Sequence, residues 1–171
     1  MTNYFAVSAL RDLAPVELHQ LYKLRVDVFV HEQNTPYAEI DDTDALDTTF
    51  HVLAWTRKSE HGHATLIGCA RLYPGTDGDE TVHLGRLTTA ADHRGEGLGT
   101  ELLLQTLRLA AERFPGRTVR LDAQTHLRGF YERFGFTAAG EEFDDSGVAH
   151  LPMTATPAAV AEAVKALDAA A

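Results

Sequence analysis

Cysteine occurs once in the 171 residues, at Cys69, so no disulfide can form within the chain and the fold cannot depend on an oxidising compartment. Long apolar runs are missing as well. None approaches the ~18 residues that a membrane span requires, and Met1 to Leu10 lacks a basic stretch leading into a hydrophobic one. The expectation is a soluble, cytoplasmic protein with no membrane partner. Positive charge is in deficit: 15 Lys and Arg stand against 25 Asp and Glu, a formal net charge of −10. That balance repels a polyphosphate backbone and argues against nucleic acid as a partner, while a small anion can still be held locally. Three ligand signatures are also absent. The glycines after Arg94 do not space as G-x-G-x-x-G, no Gly-Lys-Ser/Thr follows them, and Leu46 and Asp47 stand where a calcium loop beginning at Asp42 needs a ligand and a glycine.

What is present suffices for one core. With 44% apolar residues, a chain of this size buries roughly 68–70% of its unfolded surface. Residues 1–155 are expected to form one domain, followed by an Ala-rich helical tail over 156–171. Leu18, Leu21, Tyr22, Arg25, Val28 and Phe29 recur at helical spacing over Val16 to Val30, after Pro15. Arg25 shares that stripe. Either its stem packs and its head reaches water, or it meets a carboxylate such as Glu32, Glu39 or Asp42. His31 to Thr48 reads as a loop carrying Glu39, Asp41, Asp42, Asp44 and Asp47. Phe50 to Thr56 and Ala64 to Tyr73 read as a hairpin, with a third strand over Thr81 to Thr89. Leu98 to Phe114 is the clearest helix and Thr118 to Gln124 the next strand, which makes a βαβ unit with parallel strands. A short helix spans His126 to Phe134 with Gly135 as its cap, and a closing hairpin pairs Phe136 to Phe143 with Val148 to Thr154. The tail starts with a Thr156 cap and Pro157, and is expected to pack on the body or on a second copy in a homodimer.

Chemistry concentrates in Leu84 to Thr100, where a strand runs through a glycine-bearing turn into a helix. A helix start presents unpaired backbone N–H groups and the positive end of the dipole, and glycines let a phosphate come close to them. Within it, Arg94-x-x-Gly97-x-Gly99 matches the pyrophosphate motif of the GNAT superfamily of acyl-CoA-dependent N-acetyltransferases. Phe130-Tyr131-Glu132-Arg133-Phe134-Gly135-Phe136 resembles that family's late "YE-x-x-GF" segment. Gln124 takes a position the family often fills with Asn. Leu24 to Gln33, Pro36-Tyr37 and Gly140-Glu141-Glu142 resemble the ElaA-like branch, and the likeness covers most of the chain before the tail.

The resemblance implies an α/β (α+β) fold with a mixed sheet of about six to seven strands, a central βαβ unit whose parallel strands splay, and helices on both faces. It implies acetyl-CoA as co-substrate, with no metal. Leu87, Thr88 and Thr89 would pair with the pantetheine arm. Arg94 and the amides of Gly95, Gly97, Leu98 and Gly99 would hold the pyrophosphate, and Gln124 would lie near the pantetheine. Tyr131 would pass a proton to the departing thiolate, since a phenol near ~10 can serve a thiol near ~8.5 through a positioned hydrogen bond. The expected reaction moves an acetyl group to a primary amine of a small molecule or peptide by direct attack in a ternary complex.

The general base stays open among His51, His83, His126, His150, Glu32 and Glu142. Arg25, Asp41 and Asp42 are candidate acceptor-binding residues, the carboxylates attracting a protonated amine. His61-Gly62-His63 lacks a third ligand for a metal, Cys69 lies within an apolar strand, and Ser59 and Ser146 lack a nucleophile context. Two other functions compete: a synthase of the acyl-homoserine-lactone type, and a non-catalytic acyl-CoA-binding or sensory module.

Overall fold

The structure, a computed structural model, describes residues 2–59 and 61–169; Met1, Glu60, Ala170 and Ala171 lie outside the described residues, the last two at the end of the expected 156–171 tail. In chain order the elements are β1 (Thr2–Ser8), α1 (Pro15–Arg25), β2 (Phe50–Arg57), β3 (Ala64–Pro74), β4 (Val82–Thr89), α2 (Leu98–Arg113), β5 (Val119–Gln124), α3 (Arg128–Glu132), β6 (Thr137–Ala138), β7 (Phe143–Asp145), β8 (Val148–Ala155) and α4 (Pro157–Ala169). Hydrogen-bonded strand order among the described residues is β1-β2-β3-β4-β5-β8-β6, with β7 also on β8, eight strands where the family resemblance implies about six to seven. The excess has two sources. β1 has no counterpart in the sequence reading, and the strand expected over 136–143 is broken into β6 and β7. The chain divides into two compact units, Met1–Leu72 with Arg86–Leu103, and Tyr73–Gly85 with Leu104–Ala171.

In the first unit, β1 and β2 pair antiparallel from Thr2↔Arg57 to Ser8↔His51. β2 and β3 form the expected hairpin, interrupted by a bulge where Ala54 faces Gly68 and Trp55 faces Leu66. Gln20 of α1 serves that irregular stretch: its Oε1 accepts from Leu66 N at 2.9 Å and its Nε2 donates to the Ala64 carbonyl at 3.3 Å. Leu21, Leu24, Val28, Leu53, Trp55, Leu66 and Cys69 form the buried cluster beneath α1. The helix expected to Val30 changes pitch at its end. From Val26 to Glu32 it widens into a π-helical turn, with Gln33 N donating to Val28 O and Thr35 N to Val30 O, both at 3.1 Å. Val26, Val28 and Val30 are β-branched, which lowers the α-helix propensity of this stretch slightly.

In the second unit, β4 and β5 pair in parallel through Val82↔Val119 and His83↔Arg120, the parallel strands of the expected βαβ unit. β5 then pairs antiparallel with β8 over six positions, Val119↔Ala155 to Gln124↔His150. Along β5, buried Val119, Leu121 and Ala123 alternate with Arg120, Asp122 and Gln124, the strand period of two. β7 and β8 turn through Ser146 and Gly147, whose φ values of 54° and 85° suit a two-residue hairpin of the mirror-image type I class. Phe130, Tyr131, Phe134 and Phe136 meet edge to face around α3. The tail belongs to this unit: Thr156 Oγ1 accepts from Ala159 N at 3.2 Å, capping α4, and Val160 is buried. No helix among the described residues is long and apolar enough to cross a membrane.

Candidate active site

The turn between β4 and α2 is built on left-handed glycines. Gly95 and Gly97 both adopt φ of 84°, a region that an L-residue enters only at a cost. A Cβ built on Gly95, Gly97 or Gly99 would meet no atom within 4 Å, so open space lies beside the backbone. Glu101 N donates to Gly97 O at 3.0 Å, which starts the 16-residue helix and leaves the preceding amides without helical partners. Among the residues expected to hold coenzyme A, Leu87, Thr88, Thr89, Arg94, Gly95, Gly97, Leu98 and Gly99 all lie in the first unit, in one continuous path.

Arg94 already has a partner. Its Nη1 and Nη2 donate to the two carboxylate oxygens of Glu32 at 2.6 and 3.0 Å, while Nε and Nη2 donate to the Thr89 carbonyl at 3.3 and 3.1 Å. Glu32 closes the π-helical turn. The hydrogen bond to Arg94 pulls its carboxyl below the usual range. In the sequence Glu32 stands as a possible partner of Arg25 and as a chemically able base; its pairing with Arg94, across 62 positions, is visible only in the structure.

A largely buried ionic network joins α1, β3 and β4 to the acidic loop. Arg25 donates from Nε to Glu39 Oε1 at 2.8 Å, from Nη1 to Asp44 Oδ1 at 2.7 Å, and from Nη2 to the Glu39 carbonyl at 2.8 Å. Arg71 Nη1 donates to Asp41 Oδ1 at 2.7 Å and to Asp44 Oδ1 at 3.0 Å. Arg86 Nη2 donates to the Glu39 carbonyl at 3.1 Å, and its Nε lies 3.0 Å from Glu39 Oε2. Three cations therefore face three carboxylates. Burial opposes the charge on Asp44, but its bonds to Arg25 and Arg71 outweigh that and hold its carboxyl low. The Tyr37 hydroxyl donates to Glu39, and burial together with that bond pushes its pKa up.

The expected alternatives for Arg25 resolve in favour of a carboxylate beneath the helix, Glu39 together with Asp44 rather than Glu32 or Asp42. Of the three candidate acceptor contacts, Arg25 is buried and Asp41 is paired with Arg71, whereas Asp42 is exposed. Arg71 and Arg86 escape the sequence reading, although an arginine within each of two apolar strands, set against five acids in one loop, is a signal of charge complementarity. Arg86 is also left-handed, φ 52°, within β4.

The second unit carries the other expected residues. Tyr131 on α3 is 7% exposed, and burial alone pushes its hydroxyl up to about 12. Gln124 closes β5 directly opposite His150. His83 Nε2 lies 2.6 Å from Asp79 Oδ2, and its ring stacks on Tyr73 at 5.1 Å. Hydrogen bonds from Thr81 and His83 hold the Asp79 carboxyl well below the usual range.

Residues 18–157 match the family model of the acetyltransferase (GNAT) domain, most of the chain. The chain belongs to the GNAT acetyltransferase family. This GNAT protein is 35% identical over 142 residues to the protein ElaA of Escherichia coli strain K12, covering 83% of this chain and 89% of ElaA. Its fold superposes on the crystal structure of an acyl-CoA N-acyltransferase from Pseudomonas aeruginosa with a TM-score of 0.82 and 32% identity, over 91% of this chain and 100% of that one. The crystal structure of E. coli ElaA gives a TM-score of 0.81 at 32% identity, over 90% and 99% of the two chains. A CoA-dependent acyl-homoserine lactone synthase, BjaI, superposes with a TM-score of 0.74 over 98% and 90% of the chains, but at 18% identity the likeness is one of fold. The GNAT protein is an acyltransferase.

Proposed function

We propose that this GNAT acyltransferase moves an acetyl group from acetyl-CoA to a primary amine by direct attack in a ternary complex. The observation that carries the reading is the turn from Arg94 to Gly99: two left-handed glycines with open space beside them, an arginine, and the start of a long helix. Those features suit a diphosphate, which needs several N–H donors at close range and a positive charge. Arg94 and the amides of Gly95, Gly97, Leu98 and Gly99 would hold it, and Leu87, Thr88 and Thr89 would pair with the pantetheine arm, near which Gln124 would lie. Acetyl-CoA supplies the activated carbonyl.

The protein's own contribution is to orient and to move protons. Tyr131 is the proposed acid: burial raises its hydroxyl to about 12, which keeps it protonated at neutral pH and makes it a weaker acid, so its proton would pass to the sulfur only through a positioned hydrogen bond as charge develops there. Asp42, exposed on the acidic loop, is the proposed attraction for a cationic acceptor. Calorimetry with coenzyme A tests the reading, with thiol release from acetyl-CoA followed across amines, amino acids, polyamines and peptides. Binding that weakens at least about tenfold in Arg94→Glu, together with amine-dependent thiol release, is the expected result. No heat on adding coenzyme A, or no effect of the charge reversal, would overturn it.

A further inference from the structure

We infer that His150 is the base that takes the proton from the acceptor's ammonium group, with Phe143 as a wall of the acceptor site. The inference rests on the acetyl-transfer reading. Phe143, His150 and Gln124 are direct register partners across β7, β8 and β5, so their side chains stand in one row on the same face of the sheet. The row ends at Gln124, the last residue of β5, two residues after which the helical turns leading to Tyr131 are under way. His150 Nδ1 lies 2.8 Å from the Val148 carbonyl, which can only accept, so the proton of the neutral ring is on Nδ1 and the lone pair is on Nε2. The Phe143 ring stacks on the imidazole at 5.7 Å and 25°, and is itself 40% exposed. A half-buried imidazole of fixed tautomer, held between a carbonyl and an aromatic face with Nε2 unpaired among the described residues, is built to accept a proton.

The other five candidate bases are less well placed. His51 is buried, with Nε2 against the Asp44 carbonyl at 3.0 Å; His83 directs Nε2 to Asp79; Glu32 is held by Arg94. His126 and Glu142 are exposed, and among the described residues no side-chain hydrogen bond or ion pair orients them.

The proton balance closes. One proton passes from the substrate's R–NH3+ to His150 Nε2 and then to bulk water. The neutral nitrogen bonds to the acetyl carbon as the carbon–sulfur bond breaks, and the sulfur takes the Tyr131 proton. The second N–H proton restores the Tyr131 hydroxyl. The products are the amide, the thiol and one released proton.

The test uses two probe nucleophiles with acetyl-CoA: n-propylamine, which is protonated near neutral pH, and hydroxylamine, which is not. In His150→Gln, transfer to n-propylamine should fall at least about tenfold further than transfer to hydroxylamine, with added imidazole recovering part of the loss. Coenzyme A affinity should stay within about twofold by calorimetry. Equal slowing of both nucleophiles, or none, overturns the assignment. In the wild-type protein, long-range proton–nitrogen NMR correlations should show His150 with its proton on Nδ1 at pH 8; a proton on Nε2 alone overturns it independently of any rate. Absence of coenzyme A binding would instead sink the acetyl-transfer reading, and binding without thiol release from either probe would sink both.

Discussion

Glu32 grips both terminal nitrogens of Arg94, at 2.6 and 3.0 Å, so the carboxylate at the end of the π-helical turn fills the fork proposed to receive a diphosphate. Both side chains are about two-fifths exposed, so water screens the pair and its net strength is modest. A carboxylate and a diphosphate cannot use the same two N–H edges at once. Glu32→Gln should therefore tighten coenzyme A binding about two- to fivefold, and pantetheine, which lacks the diphosphate, should bind unchanged. Titration calorimetry at low salt reads both; weaker coenzyme A binding would mean that Glu32 orients Arg94 instead of competing for it.

Gly97 tests the cradle from the backbone side. At φ 84°, an alanine would cost about 1–2 kcal/mol in conformation, and its methyl would project into the open space beside the turn. Gly97→Ala should lower the unfolding midpoint in urea and weaken coenzyme A binding, whereas Gly85→Ala, with equally open surroundings and no left-handed φ, should leave coenzyme A binding in place.

Tyr131→Phe keeps the edge-to-face packing with Phe130 and Phe136 and removes only the hydroxyl. If that hydroxyl supplies the thiolate's proton, turnover should fall by at least about tenfold while the dissociation constant for coenzyme A changes little. Since burial raises the hydroxyl to about 12, no alkaline loss of rate below about pH 11 should trace to it. Equal rates in the two proteins would remove Tyr131 from the mechanism.

Arg25 holds two buried carboxylates, so its loss is a stability experiment. Arg25→Leu leaves Glu39 and Asp44 without their main counter-charge and should cost about 3–5 kcal/mol of unfolding free energy in urea. Arg25→Lys should recover only part of that, since an ammonium cannot reproduce the three-sided fork. A loss below about 1 kcal/mol would show that the network relaxes around the gap.

His51 links the same network to pH. Burial lowers its pKa from the ordinary 6.5, and its Nε2 proton is given to the Asp44 carbonyl. The native state therefore prefers the neutral ring. Its contribution is complete above about pH 6.5 and is lost as pH falls through the lowered native value. Asp44, held low by Arg25 and Arg71, adds a second loss of the same sign below the ordinary carboxylate range near 3.8. His51→Gln should flatten the first fall and leave the second, as read from urea midpoints between pH 7 and pH 3.

Much of the fold is legible from local pattern. The period of α2, the alternation of β5, the Pro157 start of α4 and the Gly135 stop each depend on residues within a few positions, where propensity and turn chemistry act directly. β1 is not legible. Its apolar residues alternate only loosely, and its pairing partner in β2 lies nearly fifty positions away. The change of pitch at Val26 is also beyond a stripe count, because it lies in backbone bonds from Gln33 N to Val28 O and Thr35 N to Val30 O, which the spacing of apolar residues does not report.

The site divides the same way. By itself the sequence determined the glycine-bearing turn and the helix it opens, because left-handed backbone and free amides at a helix start follow from which residues stand next to one another. Only the tertiary structure decided that Arg94 meets Glu32, that Arg25 answers Glu39 and Asp44 in place of Glu32 or Asp42, and that His150 stands beside Gln124 with its Nδ1 against the Val148 carbonyl. Those are electrostatic and register relationships between distant segments. Any of several carboxylates or histidines could satisfy them equally well until the packing of the backbone sets the distances.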